Sequence, residues 1–291
     1  MNNILVTGAN GQLGIELRNI SGDYPDYRFF FTDVAELDIT NLGAVNTFFE
    51  NNKIKTVINC AAYTAVDKAE SDEHAAMLIN ATAVGYLADA CQNADATLIH
   101  ISTDYVYDGN ANRPYSENHP TAPASVYGRS KLAGEKAALN NPKTVIIRTS
   151  WLYSAYGNNF VKTMLRLGKE RETLNVVFDQ TGTPTYAADL AQAIMEVVKA
   201  TGKGDLKTGI FHYSNEGVCS WYDFAHEIMQ QAELKCVVRP IETKDYPVPA
   251  PRPHYSVLNK SLIKTKYDIE IPHWKDSLKK CLSRLYSCNA Q

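Results

Sequence analysis

I-L-V-T-G-A-N-G-Q-L-G, Ile4 to Gly14, decides the fold of this chain. Ile4-Leu5-Val6-Thr7 is a short apolar run, followed at once by Gly8, Gly11 and Gly14 and by an amphipathic stretch from Leu13 to Ile20, which predicts strand, glycine turn and helix. In such a turn the first glycine permits a tight reversal, the second lets backbone N–H groups approach a pyrophosphate, and the third lets helix and strand pack closely. Phosphates then sit at the helix N-terminus, where free N–H groups and the dipole favour negative charge. The spacing is G-x-x-G-x-x-G rather than the G-x-G-x-x-G of the dinucleotide fingerprint, so a glycine-rich turn without a ligand is the competing reading. The position of the motif, where a first strand would feed it, favours the dinucleotide.

Further apolar, β-rich runs follow at Arg28–Thr32, Thr56–Asn59, Thr97–Ile101 and Thr144–Arg148, with helical patterns between them. Alternation of this kind means parallel strands joined by right-handed crossovers, hence an α/β, doubly wound Rossmann sheet. Thr40 is the expected cap of a helix over Asn41 to Glu50, Ser71 of one reaching Met77, and Asn80 to Asn93 carries apolar residues at helical spacing. After Arg148 the rhythm changes to a loop (Ser150 to Asn159), a helix (Phe160 to Lys169), a strand (Thr173 to Phe178) and a helix (Ala187 to Lys199). The Pro-rich segment Tyr246 to Pro253 reads as an ordered loop covering a substrate, and a helical region follows near the C-terminus. We expect residues 1–149 plus about 172–201 to form the dinucleotide-binding domain, and about 150–171 and 202–291 to form a smaller substrate lobe.

The chain has 291 residues, 45% of them apolar, enough for that core plus a lobe. A net charge of -3 with both signs interspersed gives no basic face and argues against nucleic-acid or membrane partners. No apolar run approaches a membrane span and no signal-peptide pattern opens the sequence, so a cytoplasmic location is expected. The six scattered cysteines have no C-x-x-C spacing and no His at ligand spacing, so they read as reduced packing residues, with no metal expected.

In an open parallel sheet, ligands bind beyond the carboxyl ends of the strands. Gly8 to Gly14, Asp33, Ala61 to Thr64, Ser102 to Asp104, and Thr149 to Trp151 follow the five predicted strands in turn, and so converge on one crevice. Tyr127 and Lys131 in Y-G-R-S-K are four apart at a helix start and share one face. They are either an ordinary solvent-facing pair or an acid pair, in which the ammonium and a nicotinium charge lower the phenol from its usual ~10. Tyr127 would then protonate a carbonyl oxygen as hydride reaches the carbon. Thr103 is either a strand-end cap or a hydroxyl bonding the same oxygen. Asp104 is suited to a sugar hydroxyl or to fixing its loop. Asp33, nineteen residues after Gly14, suits the adenosine ribose 2′-OH and repels a 2′-phosphate, which favours NADH modestly over NADPH. Asp38 is a helix cap or an adenine contact.

With these residues in hand, the chain resembles the dTDP-4-dehydrorhamnose reductase family of the extended short-chain dehydrogenase/reductases. The matching blocks include G-A-N-G-Q-L-G, N-C-A-A-Y-T-A-V-D-K-A-E, I-S-T-D-Y-V-Y-D-G, V-Y-G-R-S-K-L-A-G-E, R-T-S-W-L-Y, D-Q-T-G-T-P-T and R-P-H-Y-S-V-L. The resemblance implies reduction of the C4 ketone of dTDP-4-dehydro-β-L-rhamnose to dTDP-β-L-rhamnose, with NADH or NADPH. It makes Tyr127 the proton donor, Lys131 the partner of the nicotinamide ribose, and Thr103 an assistant at the substrate oxygen. It assigns Gly11, Gln12 and Leu13 to the pyrophosphate, Asp33, Asp38 and Ile39 to the adenosine end, and Ala62, Tyr63 and Thr64 to the central cofactor. Thr103, Asp104, Val66 and Trp151 would face the sugar, although bulky Trp151 is also readable as core. Asn159, Phe160 and Arg252 would meet the nucleotide diphosphate. Some family members are metal-linked dimers; Glu16 suits one acidic position, but Ala188 stands where another is sought, so a homodimer is compatible and a metal-dependent one is not expected. Two other functions compete: a nucleotide-sugar epimerase or dehydratase that returns the hydride, and a non-catalytic regulatory subunit like the relative that accompanies methionine adenosyltransferase.

Overall fold

The computed structural model describes residues 2–288. Six strands, β1 (Asn2–Thr7), β2 (Tyr27–Thr32), β3 (Thr56–Asn59), β4 (Thr97–Thr103), β5 (Thr144–Thr149) and β6 (Gly209–His212), form one sheet in the order β6-β5-β4-β3-β1-β2. Every pairing in it is parallel. The sheet is a doubly wound Rossmann sheet whose order reverses between β1 and β3, and that switch point opens the crevice.

Successive side chains of a strand point to opposite faces, so each apolar run feeds two cores. Ile4, Val6, Ile58, Ile99, Val145 and Ile147 pack on one face against α1 (Gln12–Ile20) and Leu190, Ile194, Val197 and Val198 of α6 (Ala187–Gly202). Leu5, Val57, Leu98 and Ile146 pack on the other against α2 (Leu42–Asn52) and α3 (Ala83–Asn93), through Val45, Phe49, Val84 and Leu87. Burying each such side chain stabilises by roughly 1.5–3 kcal/mol, which fixes the register of the sheet.

Helix starts differ from expectation in three places. The side chain of Asn41, not Thr40, caps α2 by accepting from Ala44 N; the Thr40 hydroxyl donates to Asp38 instead. Ser71 is no cap, because its hydroxyl donates back to Lys68 O and the short helix Glu73–Met77 begins after Asp72. The expected helix from Asn80 begins as a π turn, Leu78–Thr82, and becomes α only at Ala83.

The expected partition also shifts. Thr173–Val177 pairs with Val237–Ile241 in a separate two-stranded sheet, while β6, placed in the lobe by sequence, completes the central sheet. The reason lies in packing. Leu174 and Val176 bury against Phe224 and Ile228 of α7 (Trp221–Gln231) and against Trp274 and Leu278 of the last helix, a second core away from the sheet. Two further helices matter for the site: α4 (Val126–Ala138) and α5 (Phe160–Glu170). No helix among the described residues is long and apolar enough to cross a membrane.

Candidate active site

A cleft of about 970 Å³ opens at the carboxyl ends of the strands. At one end, β1 gives way to Gly8, which has φ +63° and lies against the Ala61 backbone. A Cβ on Gly14 would stand 2.5 Å from Gly8 O, so only glycine lets α1 start this close to the turn. Gly11 is the residue before α1, and no side chain caps the helix. The first N–H groups of α1 thus border the cleft at Gln12, Leu13 and Gly14, as a pyrophosphate site requires, while Gly11 N donates to Gly8 O and closes the turn.

Beyond β2, Asp33, Asp38 and Ile39 line the cleft. Asp33 accepts from Asn10 N at 3.1 Å and from Val34 N at 2.8 Å, which ties the end of β2 to the glycine turn. Asp38 accepts from Thr40 N and the Thr40 hydroxyl, so it closes a turn rather than capping α2, and it lines the cleft. Ala62, Thr64 and Val66 line the middle of the cleft. Tyr63 does not; its ring packs toward Val126 and its hydroxyl donates to Asp72.

Thr103, Asp104, Tyr127 and Lys131 also line the cleft. Ser125 caps α4 by accepting from Gly128 N, and Val126 N donates to Glu70, which fixes the turn carrying Tyr127 and Lys131. Of the two readings of Thr103 the cap is realised: its oxygen accepts from Tyr105 N, and its hydroxyl, at the edge of the cleft, donates to Asp104 at 2.9 Å. Burial pushes the Asp104 carboxyl up to about 6. Lys131 is buried, donates to Ile101 O at 2.7 Å, and is brought down to about 8 by desolvation. Tyr127 moves opposite to expectation. Burial pushes its phenol up to about 12, with Thr103 pulling back and Asp104 adding to the rise.

Several residues that hold this arrangement escape the sequence reading. Asn80, fully buried in the π turn, donates to Tyr63 O and to the Ser130 hydroxyl and accepts from Tyr63 N. It clamps the loop after β3 to α4. Beneath the site, Arg148 on β5 pairs with Glu135 on α4 at 2.6 Å, both 2% exposed, and the Ser102 hydroxyl donates to the same carboxylate. Removing either partner of such a pair typically costs about 3–5 kcal/mol, because a charge is left alone in the interior. The available signal was a charge inside an apolar strand, Arg148 in T-V-I-I-R-T; Asn80, in a helical turn, carried none.

The other end is built by long-range contacts. Trp151 lines the cleft with φ +47° and stacks on Trp221, ring centroids 3.6 Å apart, so the core reading of Trp151 gives way to a wall. Trp221 itself, on α7, was not foreseen. Asn159 and Phe160 stand behind this wall rather than in it. The Asn159 side chain caps α5 and donates to Gln12 Oε1 at 2.9 Å, while Phe160 packs on Trp221. Arg252 does not line the cleft; its guanidinium pairs with Asp67 at 2.8 Å and, with the Ala250 N bond to the same carboxylate, straps the Pro-rich segment to the loop after β3. Glu16, the position considered for a metal, is fully buried and bonded to Arg284 and Ser154.

A family model described as the RmlD substrate binding domain matches residues 1–287. A dTDP-4-dehydrorhamnose reductase of Aggregatibacter actinomycetemcomitans is 42% identical over 96% of this chain and 98% of its own length. The crystal structure of a dTDP-4-dehydrorhamnose reductase from Clostridium acetobutylicum superposes with a TM-score of 0.92 at 46% identity, covering 98% of this chain and 99% of that one. The Bacillus anthracis enzyme, solved in complex with NADP, superposes with a TM-score of 0.92 at 41% identity, covering 98% and 100%. On sequence, fold and the cleft together, the chain belongs to the dTDP-4-dehydrorhamnose reductase family.

Proposed function

We propose that the chain reduces the C4 ketone of dTDP-4-dehydro-β-L-rhamnose to dTDP-β-L-rhamnose with NAD(P)H. The observation that carries this reading is the meeting of Thr103, Tyr127 and Lys131 in the same cleft as the glycine turn. The uncapped start of α1 and the Asp33 carboxylate suit a dinucleotide. NAD(P)H bound there supplies the hydride. With its phenol up to about 12, Tyr127 is protonated at neutral pH, the form that donates to the C4 oxygen. Lys131, one helical turn on, stabilises the phenolate left behind and bonds the nicotinamide ribose. Thr103 and Asp104 orient the sugar's oxygen, with Val66 and the Trp151–Trp221 wall enclosing the ring. Lys131 is the one Lys or Arg side chain among the described residues lining the cleft, which supports NADH over NADPH at the Asp33 end. Cys60, Cys91, Cys219, Cys236 and Cys281 are free, consistent with the cytoplasm.

The test is loss of NADH absorbance with freshly generated dTDP-4-dehydro-L-rhamnose, NADPH run in parallel, and dTDP-rhamnose measured as product. Tyr127→Phe is expected to keep NADH affinity and lower kcat by about 100-fold or more. Unchanged turnover removes Tyr127 from its role. Tightly held NAD with no net oxidation of NADH would favour an epimerase or dehydratase, and folded protein that binds NADH without turnover a regulatory subunit.

A further inference from the structure

Four buried polar side chains run behind the wall of the cleft. Thr7, Asn59 and His100 are register partners on the neighbouring strands β1, β3 and β4, so their side chains fall in line on one face. The Thr7 hydroxyl lies 2.7 Å from Asn59 Oδ1, Asn59 Nδ2 lies 3.0 Å from His100 Nδ1, and His100 Nε2 lies 3.4 Å from Lys131 Nζ. Asn59 and His100 are fully buried, whereas Thr7 and Lys131 line the cleft at the two ends of the row.

Hydrogen positions along this row follow from counting donors and acceptors. If Thr7 donates to Asn59 Oδ1, the amide donates to His100 Nδ1, and the neutral imidazole carries its proton on Nε2, facing Lys131. An amine there accepts that proton's hydrogen bond; an ammonium, having no lone pair, does not. With the amide turned over, the opposite arrangement occupies the same positions. Lys131 ammonium donates to Nε2, Nδ1–H donates to Asn59 Oδ1, the amide donates to the Thr7 oxygen, and the Thr7 proton turns into the cleft. The imidazole holds one proton throughout, and the net change between the two is one proton on Lys131.

We propose that His100 is a positioning residue for Lys131, and that Thr7, Asn59, His100 and Lys131 form a two-register relay in which the charge on Lys131 sets whether Thr7 offers the cleft a donor or an acceptor. The inference rests on Lys131 serving the reaction as proposed above. Burial supports it by keeping His100 neutral, well below 6.5, and Lys131 at about 8, where both registers are populated near working pH. The other groups facing Lys131 are Tyr127 one turn before it, Glu135 one turn after it and paired with Arg148, and the Cys60 thiol beyond β3.

The direct test uses the unmodified protein labelled with ¹⁵N-histidine. The His100 ring is expected to stay neutral from pH 6 to 10 while its proton moves from Nδ1 to Nε2 as Lys131 loses its charge; one fixed tautomer across that range overturns the relay. Kinetics supply a second arm. In His100→Phe the ammonium loses an acceptor, so the alkaline fall of kcat should move down by about one pH unit, while His100→Gln, which retains an acceptor, should keep it within a few tenths. A fall in kcat and Tm at every pH with no movement of that limb would reduce His100 to packing and overturn the proposal. Lys131→Ala separates the two readings. Full turnover in that variant removes Lys131 from the reaction and the relay with it, whereas lost turnover beside a fixed His100 tautomer overturns the relay alone.

Discussion

Two helices begin at the edge of the same cleft, and their first turns are used differently. At α1 no side chain caps the helix, and Gln12, Leu13 and Gly14 bring its first N–H groups to the cleft, while the Gly11 N–H donates to Gly8 O. At α5 the Asn159 side chain accepts from Lys162 N and reaches across to Gln12 and Ser154 O. The first terminus is available to an anion; the second is satisfied from within the chain and holds α5 against α1. A helix start beside a cavity is therefore a ligand site only where the chain leaves its N–H groups unpaired. The same contrast runs through the cleft. The glycine turn closes on itself through Gly11 N and Gly8 O, whereas the wall on the proposed sugar side depends on Trp151 meeting Trp221 from a distant helix.

The sharpest way to break this comparison is at α1. Gly14→Ala places a Cβ 2.5 Å from backbone atoms that cannot swing aside, so NADH affinity, measured by calorimetry, should fall by at least about 100-fold, or the fold should fail. Affinity kept within a few-fold would mean the close helix start is not what holds the dinucleotide. Next is the pH response of the shared floor. The Asp104 carboxyl, at about 6 when folded, lies above the ~4 of an unfolded aspartate, so the folded state holds the extra proton between those values. Stability should thus fall as pH rises from about 4 to about 6, by on the order of 2 kcal/mol, and Asp104→Asn should flatten that part of the urea-midpoint curve.

Two smaller effects probe the sugar side. Trp221→Ala removes the ring on which Trp151 leans, and should raise KM for the nucleotide sugar about 10-fold with NADH affinity unchanged. Asn159→Ala should cost about 1 kcal/mol in stability, as a lost helix cap does, and Asn159→Ser should recover most of it. A rise of 10-fold or more in KM for the sugar, with no change in stability, would restore Asn159 as a diphosphate ligand and erase the contrast between the two helix ends.

Five of the six strands of the central sheet were readable because they are continuous apolar runs whose carboxyl ends carry the glycine turn, Asp33, Thr103 and Trp151 in order; the short edge strand Gly209–His212 was not. Caps were less readable: Thr40 and Asn41 offer neighbouring oxygens and only Asn41 reaches a helix N–H, while the helix after Asp72 has no side-chain cap at all. The strand at Thr173 has the same apolar signature as the others, and its placement in the second core depended on Phe224, Trp274 and the partner strand at Val237.

Sequence alone determined the Rossmann architecture, the cleft at the strand ends, and the placing of Tyr127, Lys131 and Thr103 within it, because periodicity and spacing act over a few residues and need no distant partner. Only the tertiary structure decided that Arg252 binds Asp67, that Asn159 caps a helix, that Trp221 completes the wall, and that Tyr127 is raised rather than lowered by its surroundings. Those outcomes depend on which buried groups meet across the fold and on how much water reaches them, and both are fixed only when distant segments pack.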